Sequence, residues 1–340
     1  MSWKTSFGMF LLIINLSLSV LLWIAVVGQD DKTYLKYEKM NNTSMHTSAL
    51  WDDSTNLIDQ QFAHTRKIVI ETHYPVVLGR PYKINNEKIC RTVSNLSVIV
   101  MVTTAPSHFE IRKQMRQTYL NSNYYDDKNI RVVFLLGLLS DSTLQNKIEE
   151  ENLAFNDIVQ GHFIDSYQNL TNKGVMGFKW ITEFCQNAEF VLKIDDDVFV
   201  NFFAVFDIVS PIIKKKSKYI MCYVADPWTQ PVQRGENSRW YVHPDKFRHF
   251  DYYPYKSCSG FAAFLSTDLI PMLYKSALIS PFFWVDDVYL FGILPSKING
   301  TVHHKIQSSM SLYDNRGLQC YNEVNTVQLS WRTKTGKMTL

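Results

Sequence analysis

The pattern of apolar and polar positions changes character twice along the chain. From Phe7 to Val27 it reads FGMFLLIINLSLSVLLWIAVV, without one charged residue. From about Gln29 to about Lys88 it is polar and holds no sustained period. From Cys90 onward, short apolar runs alternate with amphipathic ones. LSVIVMVTTAP (Leu96 to Pro106) is almost continuously apolar and rich in β-branched residues, which predicts a strand buried on both faces. Ser107 is placed to cap a helix over HFEIRKQMRQTY. IRVVFLLGLL (Ile130 to Leu139) predicts a second buried strand, and Asp141 caps a helix around STLQNKIEEENLAF. Asn169 to Gln186 predicts a further helix, with Val175, Phe178, Ile181 and Cys185 on one face. EFVLKI and KYIMCYV (Lys218 to Val224) are the next strands. Alternation of strands and helices predicts an α/β domain with a mostly parallel sheet covered on both sides.

The uncharged run changes the picture of the whole chain. As a helix it spans roughly 30 Å, about the hydrocarbon core of a bilayer. Lys4 precedes it, and Asp30 and Asp31 follow it. The positive flank predicts a cytoplasmic N-terminus and a lumenal remainder. A cleaved signal peptide is the alternative, with a shorter apolar region ending in small residues; this run ends in Val26-Val27-Gly28-Gln29. The organisation read from this is a cytoplasmic tail (1–6), a signal-anchor helix (7–27), a stem (28–88) and a single lumenal domain (89–340).

Composition narrows the function. The chain has 340 residues, 46% of them hydrophobic, which is enough for one large domain or two small ones. A net charge of +3 with no basic block argues against a nucleic-acid partner. The five cysteines (Cys90, Cys185, Cys222, Cys258, Cys320) all follow the apolar run, where disulfides persist, and their odd number leaves at least one thiol free or paired elsewhere. No CxxC spacing supports zinc or redox chemistry. Acceptor patterns for N-glycosylation occur at Asn41, Asn42, Asn95, Asn169 and Asn299, and one at Asn15 would lie inside the membrane.

The chemistry-bearing stretch is FVLKIDDDVFVN, in which Asp195, Asp196 and Asp197 follow a strand out of the core. In open α/β sheets, ligands bind beyond the carboxyl ends of the strands. Adjacent carboxylates repel one another, so the cluster is either solvated by water or covered by a cation and a donor-rich ligand. An EF-hand is excluded, because its glycine and its closing glutamate are missing. Asp286 and Asp287, in WVDDVYLFGI, precede an apolar helical run; on these residues alone they read first as a helix cap, with acid–base groups as the alternative. Arg112 and Arg116 lie one helical turn apart and can face one side.

IRKQMRQTY, FLLG, EEENLAFNDIVQGHFIDSYQNLTNKGVMGFKWITEFC, FVLKIDDDVFVN, CSG and DDVY occur in this order. Together they resemble the β-1,3-galactosyltransferase family, which includes β-1,3-N-acetylglucosaminyltransferases and fringe enzymes, from about Cys90 to about His304. The resemblance implies a GT-A-like, Rossmann-type nucleotide-sugar-binding domain in a type II Golgi membrane protein. It implies inverting transfer from UDP-galactose or UDP-N-acetylglucosamine to a glycan on a glycoprotein or glycolipid, with a divalent cation, usually manganese (Mn2+). By resemblance, Asp197 ligates the metal, Asp195 binds ribose or metal-bound water, and Asp196 contacts the sugar or a group that in turn holds the metal's ligands. Asp287 matches the family's base; Asp286 replaces a glutamate and orients Asp287 or contacts the acceptor. Arg112 and Arg116 match basic residues near the nucleotide, with ordinary surface arginines as the alternative. Lys173 and Asp165 match donor-site residues. His303 and His304 lie where a metal-binding histidine could arrive, or form a plain surface pair. Tyr119 stands where the family has Trp, and Phe261, Ala262 and Ala263 where it has a glycine and an aromatic. The rival reading is a glycan-binding member of the fold without turnover.

Overall fold

The computed structural model describes Pro75, residues 81–125 and 127–306, and the backbone of residues 329–331. The expected tail, anchor and most of the stem, the acceptor sites at Asn15, Asn41 and Asn42, and Cys320 lie outside the described residues. No helix among the described residues is long and apolar enough to cross a membrane.

An eight-stranded mixed sheet runs through the domain in the order β1-β4-β3-β2-β5-β8-β7-β9. The strands are β1 (Tyr82–Ile84), β2 (Leu96–Thr103), β3 (Asn129–Leu138), β4 (Ile158–Ile164), β5 (Ala188–Asp195), β7 (Tyr219–Ala225), β8 (Ser257–Ser266) and β9 (Val302–Lys305). β6 (Val198–Val200) pairs antiparallel with β10 (Leu329–Trp331) in a separate ribbon. The helices are α1 (Phe109–Gln117), α2 (Ser142–Phe155), α3 (Leu170–Phe184), α4 (202–213), α5 (Leu269–Leu278) and α6 (286–296), with a π-turn inside α4 and α6. β4, β3, β2 and β5 are mutually parallel, as the alternation of elements predicts. There are two departures: the short edge strand β1 pairs antiparallel with β4, and β8 inserts antiparallel between β5 and β7. SCSGFAAFLS carries no β-branched residue, so its strand character comes from two long-range partners rather than from local propensity.

Alternate residues of β2 feed opposite cores. Ile99 and Met101 pack with α3 on one side, while Val98, Val100 and Val102 pack with Met115 of α1 on the other. α3 is buried continuously from Thr171 to Ile181, not along one face. A helix wrapped on all sides must bury whatever polar groups it carries, which here include Lys173 and Lys179.

Three local expectations meet the structure differently. Asp141 caps α2 as read, its carboxylate accepting from Thr143 N (2.8 Å) and Leu144 N (3.2 Å). Ser107 does not cap α1; the N-cap is His108, whose side chain makes no capping bond. β1, from the segment read as stem, pairs with β4, and Asn85 accepts from Trp180 Nε1 at 2.9 Å. Disulfides join Cys90 to Cys185, with Cα atoms 5.2 Å apart, and Cys222 to Cys258, 5.8 Å apart. The second ties β7 to the inserted β8.

Candidate active site

β2 and β5 end side by side, with Thr103 opposite Asp195. The chain then turns, and Asp196 N donates to the Thr103 carbonyl at 3.1 Å. This turn lifts the acidic triplet to the mouth of a cleft of about 840 Å³. The three carboxylates are held differently. Asp195 Oδ1 accepts from Lys193 Nζ at 2.6 Å, and the same ammonium donates to the Gly260 carbonyl. Asp196 Oδ2 accepts from Thr104 Oγ1 at 2.5 Å and meets His108 Nδ1 at 2.8 Å. Asp197 Oδ1 is buried and has no hydrogen-bond partner among the described residues.

Asp286 and Asp287, in the first turn of α6, line the same cleft. Asp287 Oδ1 accepts from Val288 N at 2.8 Å. β8 presses on it closely: a Cβ on Gly260 would stand 3.0 Å from the Asp287 Cβ, so an alanine there would require Asp287 to shift by a few tenths of an ångström. Removal from water, and then the charge of Asp286, push the Asp287 carboxyl up to about 7. Burial likewise raises Asp286, with Lys193 opposing, and takes Asp195 to about 7. Lys193, only 1% exposed, sits beneath this group. Burial pulls its pKa down, but Asp195, Asp286 and Asp287 outweigh that and raise it.

Lys173 and Asp165 also line the cleft and form a buried pair, Nζ to Oδ1 2.9 Å. Asp165 Oδ2 accepts from Gly137 N at 2.7 Å, and Lys173 Nζ donates to the Thr104 carbonyl at 2.6 Å. The pair thus fixes the loop after β2 against β3 and β4. Burial holds the Lys173 ammonium below the usual lysine range, against the pull of Asp165.

Arg112 and Arg116 are not brought to the cleft. Arg112 is fully buried, donating to Glu151 through Nη2 (2.6 Å) and Nε (3.0 Å) and to the Ala105 and Pro106 carbonyls. Arg116 grips Asp157 at 2.7 and 2.8 Å and Glu151 at 2.8 Å. Their guanidiniums are engaged with carboxylates; Arg112 braces the loop that leads to His108 through the Ala105 and Pro106 carbonyls, and Arg116 shares Glu151 with it. His303 and His304 do not line the cleft either: His303 Nε2 meets the Phe291 carbonyl at 2.7 Å, and His304 stacks on Tyr219. Of the altered positions, Tyr119 buries its hydroxyl on the Val198 carbonyl (2.6 Å), Phe261 lines the cleft, and Ala262 and Ala263 sit inside the sheet. Asn95 and Asn299 are exposed, whereas both side-chain atoms of Asn169 are engaged, with the Ile164 carbonyl (2.8 Å) and Asn172 (2.9 Å).

Sequence reasoning missed His108, Thr104, Lys193 and Gly260. Lys193 alone carried a local signal: two residues before Asp195 in a strand, it shares that aspartate's face.

The galactosyltransferase family model matches residues 110–306. Mouse and human beta-1,3-galactosyltransferase 1 are each 32% identical over 223 residues, covering 64% of this chain and 67% of theirs. Mouse beta-1,3-galactosyltransferase 2 is 31% identical over 230 residues, covering 67% of this chain and 53% of its own. The solved galactosyltransferase LgtC, in complex with donor and acceptor sugar analogues, aligns with a TM-score of 0.35 at 13% identity, covering 71% of this chain and 88% of that one; at that score the likeness adds nothing to the assignment. The family match spans the strand-end triplet, the buried lysine pair and the Asp286–Asp287 wall: the chain belongs to the β-1,3-galactosyltransferase family and is a glycosyltransferase.

Proposed function

We propose that the chain transfers a hexose, galactose in the first instance, from a UDP-sugar to a glycan hydroxyl in β-1,3 linkage with inversion. One observation carries the reading: the Asp195–Asp197 cluster and the Asp286–Asp287 pair line one cleft, with Asp287 raised to about 7. The acceptor hydroxyl is a weak nucleophile until a carboxylate takes its proton. Ionised Asp287 accepts that proton while the acceptor oxygen bonds to the sugar's anomeric carbon. The bond from that carbon to the UDP oxygen breaks on the opposite face, so an α-linked donor gives a β-linked product. A carboxyl titrating near the working pH is a stronger base than an ordinary aspartate.

The residues fit a divalent cation, manganese in the first instance. The buried Asp197 Oδ1 lacks a partner, and the donors are hard oxygens. No set of three or more metal-ligating side chains lies among the described residues, so substrate phosphates and water would have to supply the rest of the coordination. Asp197 would hold it, with Asp195 beside it, while Thr104 and His108 keep Asp196 in place. When bound, the cation supplies positive charge against the departing diphosphate. Lys173 and Asp165 set the floor of the donor side. A Golgi membrane location, with the domain lumenal behind the 7–27 anchor, accords with this chemistry.

Incubation of the full-length chain in detergent with Mn2+ and a panel of UDP-sugars and glycan acceptors tests the reading. Transfer from UDP-galactose is the expected result; transfer from UDP-N-acetylglucosamine alone would move the assignment to the N-acetylglucosaminyl or fringe-like branch. Glycan binding without transfer from any donor would favour the inactive, glycan-binding alternative.

A further inference from the structure

Beside Asp286 and Asp287 the cleft carries an aromatic wall that the donor chemistry leaves unused. Trp240 lines the cleft yet is 51% exposed. It is nevertheless fixed, because its indole N–H donates to the Tyr167 hydroxyl at 2.9 Å. Tyr167 meets Trp284 edge-on with ring centroids 6.3 Å apart. On Tyr167 also lies the Arg239 guanidinium, 3.8 Å from the ring centroid, a cation–π contact that consumes none of its N–H donors. All four side chains line the cleft. Trp284 stands two residues before Asp286, and both line the cleft, which puts the wall on the proposed base's side.

A rigid, half-exposed indole next to an array of N–H donors matches one ligand chemistry in particular. A pyranose presents a face of C–H bonds that stacks on an aromatic ring and a rim of hydroxyls that accept hydrogen bonds. We propose that Trp240, Tyr167, Trp284 and Arg239 form the acceptor subsite, taking a pyranose with its C–H face on Trp240 and its rim hydroxyls on Arg239. The proposal rests on the transfer reading above, because position beside Asp287 is what makes a bound sugar an acceptor.

The test uses the full-length chain in detergent with Mn2+ and UDP-galactose, and methyl β-galactoside and methyl N-acetyl-β-glucosaminide as acceptor probes. Trp240→Ala is expected to raise the acceptor KM about tenfold, the upper end of what one aromatic contact supplies, with the donor KM held within twofold. Trp240→Phe, which keeps a stacking face, should recover most of the loss, and Arg239→Met should raise the acceptor KM by a smaller factor. An unchanged acceptor KM in Trp240→Ala overturns the proposal. So does a rise in donor KM instead, which would assign the wall to the nucleotide. Should the wild type turn over no UDP-sugar, the transfer reading fails separately, and ligand-observed NMR with the same methyl glycosides decides the subsite. Ring-proton contacts present in the wild type and lost in Trp240→Ala uphold it; their absence from the wild type removes it.

Discussion

Gly260 and Asp287 approach so closely that a Cβ on the glycine would lie 3.0 Å from the aspartate's Cβ. The inserted strand β8 therefore fixes the proposed base by contact. Asp287 has little room to retreat, since it opens a helix and its carboxylate is bonded to Val288 N. Gly260→Ala should displace the carboxylate by a few tenths of an ångström and lower kcat roughly tenfold to a hundredfold. UDP affinity, measured by calorimetry, should change little. Full kcat in this variant would mean that the position of Asp287 does not matter.

Asp287 also sets a pH dependence of opposite sign for activity and stability. Its folded pKa of about 7 lies above the unfolded value near 4, so the fold prefers the protonated form. Stability is unaffected below pH 4, falls as pH rises from 4 to 7, and is lowest above 7. Asp287→Asn should therefore melt higher than the wild type at pH 8, by an amount that shrinks toward pH 4.5. Transfer runs the other way, with kcat/KM falling as pH drops through about 7. A wild type more stable than Asp287→Asn at pH 8 would refute the buried-charge account.

Asp197 offers a test of the cation. Asp197→Ala removes the buried oxygen that lacks a partner and should abolish transfer without unfolding the domain. Chelator should do the same to the wild type, reversibly on adding Mn2+. Undiminished transfer in chelator would exclude the metal from the reaction.

Arg112 separates bracing from nucleotide contact. Its guanidinium is fully buried on Glu151, so Arg112→Met leaves that carboxylate to Arg116 alone and removes the donor from the Ala105 and Pro106 carbonyls. The expected cost is about 3–5 kcal/mol in denaturant unfolding. A variant of normal stability but weakened UDP binding would show that Arg112 touches the nucleotide instead.

Much of this architecture is legible in the chain, for identifiable reasons. β2, β3 and β5 are runs of β-branched and large apolar residues, which read as buried strands whatever their partners. The acidic triplet stands out because it interrupts such a run. What the sequence hid depends on contacts made across long separations. Arg112 and Glu151 are 39 residues apart, Lys193 and Gly260 are 67, and Asp196 and His108 are 88. Arg112 and His108 read locally as surface groups, and in all three pairs only the fold supplies the partner. β8 went unread because its small residues have weak strand propensity, and β1 because three residues in a polar stretch give no period.

Glycan attachment reports on topology. Asn95 and Asn299 are exposed and should carry glycans if the domain is lumenal. Asn169, whose amide is bonded within its own turn, should stay largely unmodified. Mobility shifts of single Asn→Gln variants before and after deglycosylation would read this directly; no glycan at either exposed site would contradict the lumenal assignment.

The most direct measurement of the central claim is single-turnover transfer from UDP-α-galactose by the wild type and by Asp287→Asn, with the product's anomeric configuration read by NMR. Asn nearly preserves the volume of Asp and still hydrogen-bonds, but it cannot take the acceptor's proton. The account expects a β-linked product from the wild type and a rate lower by roughly a hundredfold or more in the variant, with UDP and Mn2+ binding retained. An α-linked product, or undiminished turnover in Asp287→Asn, would contradict it.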